Sequence, residues 1–288
     1  MKMKTIKLLA ISLMAVLMIG CGTTSTVPIT GRKQNLLVSD GEVLGLSNQQ
    51  YQQYMQTAKP SANAANTAMV KRVGQNLANA VVAYLKANGM ANEVQNYAWE
   101  FNLVQDKQVN AWCMPGGKIV VYEGLLPVTQ DEASLAIVLG HEIAHAVAKH
   151  SAERLSNEYK NQYGTAIVGA VLQGSGVSQD TQQLIALGQS LGGQLWTSGF
   201  SRKQESEADH MGLIFAAMAG YDPRVATAFW QRMAAQGNSS NSLFSDHPSD
   251  ETRIQNIQGW MPEALKYYKP GAATTPTTTK TIHISSKK

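Results

Sequence analysis

The sequence is poor in cysteine, in charge and in long apolar runs, and each shortage excludes a class of protein. Only two cysteines occur in 288 residues, Cys21 and Cys113. A scaffold stapled by several disulfides is therefore excluded, and if Cys21 is modified Cys113 has no partner at all. Charged residues make up 15% of the chain, with a formal net charge of +4. Three of the lysines, Lys2, Lys4 and Lys7, precede the first apolar run. Without them basic and acidic residues nearly cancel, which leaves no electrostatic footprint for nucleic acid. Beyond the start, the Gly/Ala-rich stretch 163–176 has an apolar core only from Ala166 to Leu172. That is far short of the roughly 18 residues a membrane-crossing helix needs. No internal repeat is present. What remains is a chain with 44% hydrophobic residues, long enough to bury the core of one domain plus tails.

The start of the chain has the layout of a bacterial export signal. Lys2, Lys4 and Lys7 are followed by an apolar run from Leu8 to Ile19, broken only by Ser12. The run ends Met18-Ile19-Gly20-Cys21, which resembles a lipobox, although Met18 stands where leucine is usual. The expected division is a lipoprotein signal over 1–20, a tether over 21–38 anchored by lipid on Cys21, a catalytic domain over 39–268, and a disordered Thr/Pro-rich tail over 269–288.

Within the domain, Ser39 and Glu42 have capping-box spacing and should open a helix reaching about Thr57. Val70, Val73, Leu77, Val81, Tyr84 and Leu85 recur at helical period, so a second helix should span about 66–88. Tyr97 to Val104 alternates, with Trp99, Phe101 and Leu103 on one side and Glu100 and Asn102 on the other. Two more strands, Val109 to Cys113 and Lys118 to Tyr122, flank the turn-forming Met114-Pro115-Gly116-Gly117. A small antiparallel sheet is expected. Thr129 and Glu132 suggest a capping box opening one long helix over about 130–157. Another helix should cover about 201–219, ended by Gly220.

The strongest chemical signal is His141-Glu142-Ile143-Ala144-His145 on the long helix. Histidines four apart project from one face, one turn apart, so both imidazoles can reach one zinc ion. Glu142 can lean over the open position and take a proton from a water there. The apolar flanks (Ile137 to Leu139, Ile143 to Val147) suggest a buried helix, and buried polar groups need compensation, which a metal supplies. A third protein ligand is required. Position 150 falls about 180° round a continuous helix from 141, so His150 should face away to the surface. On the second helix, Glu205 and Asp209 share a face. One can bind metal while the other hydrogen-bonds a ligand histidine; Glu207 should lie across the helix from them.

These segments, with Ser201 to Asp209, resemble the HtpX-like and CAAX-endopeptidase-like zinc peptidases, which are gluzincins. Asn110-Ala111, Pro115 to Ile119, Pro28 to Arg32, and Asp246-His247-Pro248-Ser249 with Arg253 match in the same order. The resemblance implies Glu205 as third ligand and Asp209 as its hydrogen-bonding partner to a histidine. It also implies a role for His247, as transition-state stabiliser or latent ligand, and the exported lipoprotein branch rather than the multi-spanning one. Arg202 or Arg253 could brace Glu205.

The expected fold is α+β, mainly α, zincin-like, with its sheet beside the metal helix. The expected function is a zinc-dependent endopeptidase with one zinc per chain, ligated by His141, His145 and Glu205, with Glu142 as base. It would face the periplasm, on the outer membrane ahead of the inner, and act on unfolded or misassembled envelope proteins. The alternative is a zinc-containing chaperone or assembly factor for outer-membrane proteins with latent or lost proteolysis. Cys113 is expected to pack rather than react.

Overall fold

The computed structural model describes residues 23–172, 200–235 and 251–270, with side chains described outside 162–172. The expected export signal over 1–20, Cys21, His247 and most of the Thr/Pro-rich tail lie outside the described residues. The architecture is mainly helical with small sheets, as the sequence patterns suggest.

The region expected to be a tether begins instead with a hairpin. Strands β1 (Thr23–Thr26) and β2 (Lys33–Leu36) pair antiparallel. Val27, Leu36 and Val38 are buried against the domain, so the segment is part of the fold. Helix α1 (Asp40–Thr57) opens on the expected capping box of Ser39 and Glu42. Helix α2 (Ala64–Ala87) is capped by Asn63. It buries the expected stripe of Val70, Val73, Leu77, Val81 and Leu85.

Strands β3 (Glu100–Val104), β4 (Ala111–Met114) and β5 (Lys118–Tyr122) form a sheet of order β3-β5-β4. The β4–β5 pair is antiparallel as expected, but β5 lands between the other two strands and runs parallel to β3. The sheet is therefore mixed rather than antiparallel throughout. Its alternation sends two sets of side chains into two cores. Phe101, Leu103, Ala111, Cys113, Ile119 and Val121 join the main core with α2. Trp112, Met114 and Val120 join a second core with Leu46 and Tyr51 of α1. On that second side the Tyr51 hydroxyl donates to Glu100 at 2.9 Å and accepts from Asn102 at 2.6 Å, which satisfies the polar side of β3.

After a helical turn, α3 (Leu126–Thr129), comes the central helix α4 (Glu132–Val147). Its N-cap is Asp131, whose side chain accepts from the Ser134 amide. The expected Thr129–Glu132 box does not form, because the Thr129 hydroxyl donates to the Leu126 carbonyl instead. Every residue of α4 from Ser134 to Val147 is buried. The single helix expected over 130–157 is broken. Lys149 adopts a left-handed φ of 56°, and α5 (His150–Leu172) starts afresh. Helix α6 (Arg202–Met218) opens on a Ser201–Gln204 capping box. It is followed by α7 (Val225–Ala235) and α8 (Glu251–Tyr267).

Helices α4 and α6 make the most extensive helix contact in the described fold. They cross at Gly140 and Gly212. A methyl group on Gly140 would sit 2.7 Å from the Gly212 carbonyl oxygen, and one on Gly212 would sit 2.6 Å from the His141 nitrogen. The backbones touch here because neither residue has a side chain. That contact brings the histidine face of α4 against the acidic first turns of α6.

Candidate metal centre

The crossing places His141 and His145 of α4 opposite Glu205 of α6. The two histidine Nε2 atoms lie 3.0 Å apart. The Glu205 carboxylate oxygens lie 3.5 Å from His141 Nε2 and 3.4 Å from His145 Nε2. All three residues are buried, and they are a group able to hold a metal ion among the described residues. The spacing suits zinc: two donors each about 2.0–2.1 Å from one tetrahedral ion lie about 3.3 Å apart.

Both histidines are oriented from behind. The Nδ1–H of His141 donates to Asp209 Oδ1 at 2.8 Å, which leaves its Nε2 lone pair facing Glu205 and His145. Asp209 also accepts from Arg253 Nη2 at 2.6 Å. Burial opposes the Asp209 charge, but the Arg253 charge and the His141 hydrogen bond outweigh it and hold this carboxyl below its ordinary range. The Arg253 guanidinium lies over the Trp230 ring at 3.5 Å and comes within 3.8 Å of Glu205. Of the two arginines considered from the sequence, Arg253 is thus the brace. Arg202 is exposed at the start of α6.

The second histidine is held by a group that sequence reasoning sent to the surface. His150 is fully buried, and its Nδ1 lies 2.9 Å from His145 Nδ1. Position 150 departs from the helical wheel because the helix does not continue: the Lys149 break re-aims it back toward His145. Beyond it, His150 Nε2 lies 3.0 Å from Glu207 Oε2. Glu207 also accepts from Thr30 Oγ1 at 2.5 Å and Arg32 Nε at 2.7 Å. Burial raises the Glu207 pKa, but the His150, Thr30 and Arg32 hydrogen bonds override that and bring it down to about 2. Burial pushes the His150 imidazole below its ordinary value, toward the neutral form. Neutral His150 donates from Nε2 to Glu207 and accepts at Nδ1 from His145. The His145 Nε2 lone pair is then left facing that of His141. Two such lone pairs 3.0 Å apart repel unless a cation lies between them, so the donor set fits a metal and not merely a polar core.

Glu142 is buried beside the two histidines. Cys113, in β4, is also buried. Burial, and then the Glu142 charge, push the Cys113 thiol well above its ordinary value, so it packs as an inert thiol. Phe200 stacks on His145 with ring centroids 4.1 Å apart. Nothing in the sequence around Phe200 singles it out. Of the other histidines, His210 stacks on Trp260 and pairs with Glu263 at 2.7 Å, away from the centre.

Comparison with known proteins places the sequence in a family. The chain is 41% identical over 169 residues to the mitochondrial metalloendopeptidase OMA1 of Schizosaccharomyces pombe, covering 58% of this chain and 48% of that protein. It is 28% identical over 246 residues to the human metalloendopeptidase OMA1, covering 83% and 46%. It is 28% identical over 225 residues to the metalloprotease LoiP of Escherichia coli, covering 78% and 82%. The chain thus spans about half the length of the OMA1 relatives and most of the length of LoiP. The model of peptidase family M48 matches residues 64–261, which include the mixed sheet, both histidines, Glu205, Asp209 and Arg253; the chain belongs to peptidase family M48.

Proposed function

We propose that the chain is a zinc-dependent endopeptidase of the bacterial cell envelope, of the exported lipoprotein branch, with one zinc held by His141, His145 and Glu205. The observation that carries this reading is the convergence of those three buried donors beside Glu142. When bound, zinc supplies a Lewis acid that makes a water more acidic and polarises a peptide carbonyl. Glu142 then accepts the water's proton and delivers it to the departing amine. Asp209 and His150 keep the ligand histidines turned inward. Arg253 balances the negative charge of Glu205 and Asp209.

Strand β4 is the last strand of its sheet and packs against the metal helix. An extended substrate segment can lie across the zinc position. This favours unfolded or misassembled envelope proteins as substrates. A relative in Vibrio cholerae, 26% identical over 223 residues, bears the name of a putative β-barrel assembly-enhancing protease. The assembly-factor alternative has no use for a buried carboxylate at Glu142, which favours the enzyme. The direct test is cleavage of denatured casein by the purified full chain. Cleavage should stop on chelation and return with zinc; zinc-loaded protein that cleaves nothing would sink the reading.

No helix among the described residues is long and apolar enough to cross a membrane. We assign membrane attachment to lipid on Cys21, two residues ahead of β1. Cys21→Ser should move the protein from the detergent phase to the aqueous phase on partitioning. Unchanged partitioning would rule out a lipid there.

A further inference from the structure

The chain segment between β1 and β2 packs against the back of the metal centre. It is a tight turn. The Val27 amide donates to the Arg32 carbonyl at 2.8 Å and the Gly31 amide to the Val27 carbonyl at 3.0 Å. Ile29 has a φ of 65°, a left-handed conformation that a β-branched residue adopts only when its surroundings impose it. Thr30 and Arg32 leave this turn to meet Glu207 on α6. Arg32 also grips Glu153 on α5, with Nη1–Oε1 at 2.7 Å and Nη2–Oε2 at 2.9 Å. The adjacent Gln34 side chain donates to the Ala148 carbonyl at 2.9 Å, at the break where α4 ends. Three contacts from one hairpin thus hold the three helices that supply His145, His150 and Glu207.

We propose that the turn Val27–Arg32 is a positioning element of the metal centre: Thr30 and Arg32 fix Glu207, Glu207 fixes the proton on His150 Nε2, and His150 Nδ1 then holds His145 with its Nε2 toward the metal. This deepens the zinc-peptidase reading and rests on it. The two Nδ1 atoms are 2.9 Å apart, so only one of them can carry the shared proton. If His150 donates to Glu207, it must accept from His145. Were Glu207 free to swing away, His150 could turn its proton toward His145, and His145 would then protonate on the nitrogen that should bind metal. Arg32 suits the task because a planar guanidinium grips two carboxylates with fixed geometry, which a lysine cannot do.

The test measures zinc affinity by chelator competition on the full chain, for Arg32→Ala, His150→Ala and the double variant. Each single change should weaken zinc binding by roughly 10–100-fold, as loss of an outer partner does. The double variant should bind no worse than the weaker single one, because both act through His145. Unfolding of the metal-free proteins is followed in parallel, and Arg32→Lys replaces Arg32→Ala if the latter does not fold. A second readout needs no zinc: in the metal-free wild type, 15N spectra of labelled histidines should show His145 as a single Nδ1–H tautomer, and a mixture in the Arg32 variant. Folded single variants with wild-type zinc affinity, or losses that simply multiply in the double, overturn the proposal. A wild type that shows the single tautomer but binds no zinc overturns the metal reading and upholds the positioning one.

Discussion

Glu142→Gln should reduce cleavage of casein to near background while zinc content stays near one per chain. Glutamine keeps the size and hydrogen-bonding capacity of the side chain and loses only its basicity. Glu142 is buried on the central helix. A substitution of equal volume therefore leaves the packing of α4 on β4 intact. Loss of a general base costs about 10²–10⁴-fold, and the same group also returns the proton to the leaving amine. The measurement is turnover alongside bound zinc on the same sample. The variant should still bind substrate and can trap it. Retained turnover in a zinc-loaded Glu142→Gln protein would remove Glu142 from the chemistry.

Glu205→Ala should show the largest loss of metal. It removes one of three protein donors and leaves two histidines facing each other across an under-neutralised centre, next to Arg253. The loss should exceed the roughly 10–100-fold expected when an outer hydrogen-bonding partner is removed. Asp209→Ala and Glu207→Ala should fall in that smaller range, since each acts through one histidine. Zinc stoichiometry and chelator competition on the three variants give the order directly. If Glu207→Ala loses more zinc than Glu205→Ala, the register of α6 on α4 is other than described.

How much of this was legible beforehand depended on how local each signal was. The cap of α1, the apolar stripe of α2 and the alternation of β3 are written within a few residues, and the structure has them where the sequence puts them. The histidine pair was equally local. The choice between Glu205 and Asp209 is not, because spacing alone puts both on one face; the assignment comes from the resemblance, and Glu205 is the acid that lies with His141 and His145. The end of α4 was missed because Ala148-Lys149 carries neither glycine nor proline, and no residue-level signal marks a left-handed lysine. That single miss also sent His150 to the wrong side. The parallel pairing of β3 with β5 depends on a strand inserting between two others, which local patterns do not encode. Arg32 and Glu207 are 175 residues apart in sequence, and no periodicity links them.

The crossing of α4 and α6 at Gly140 and Gly212 has a consequence for how such a centre can change over time. Each glycine is blocked by the other helix's backbone rather than by a side chain that could be trimmed in compensation. A first substitution at either position therefore cannot be rescued by a second one opposite; only a shift of a whole helix would make room, and that shift would carry His141 and Glu205 apart. At this one point of contact, drift in side-chain size and retention of the metal are mutually exclusive paths.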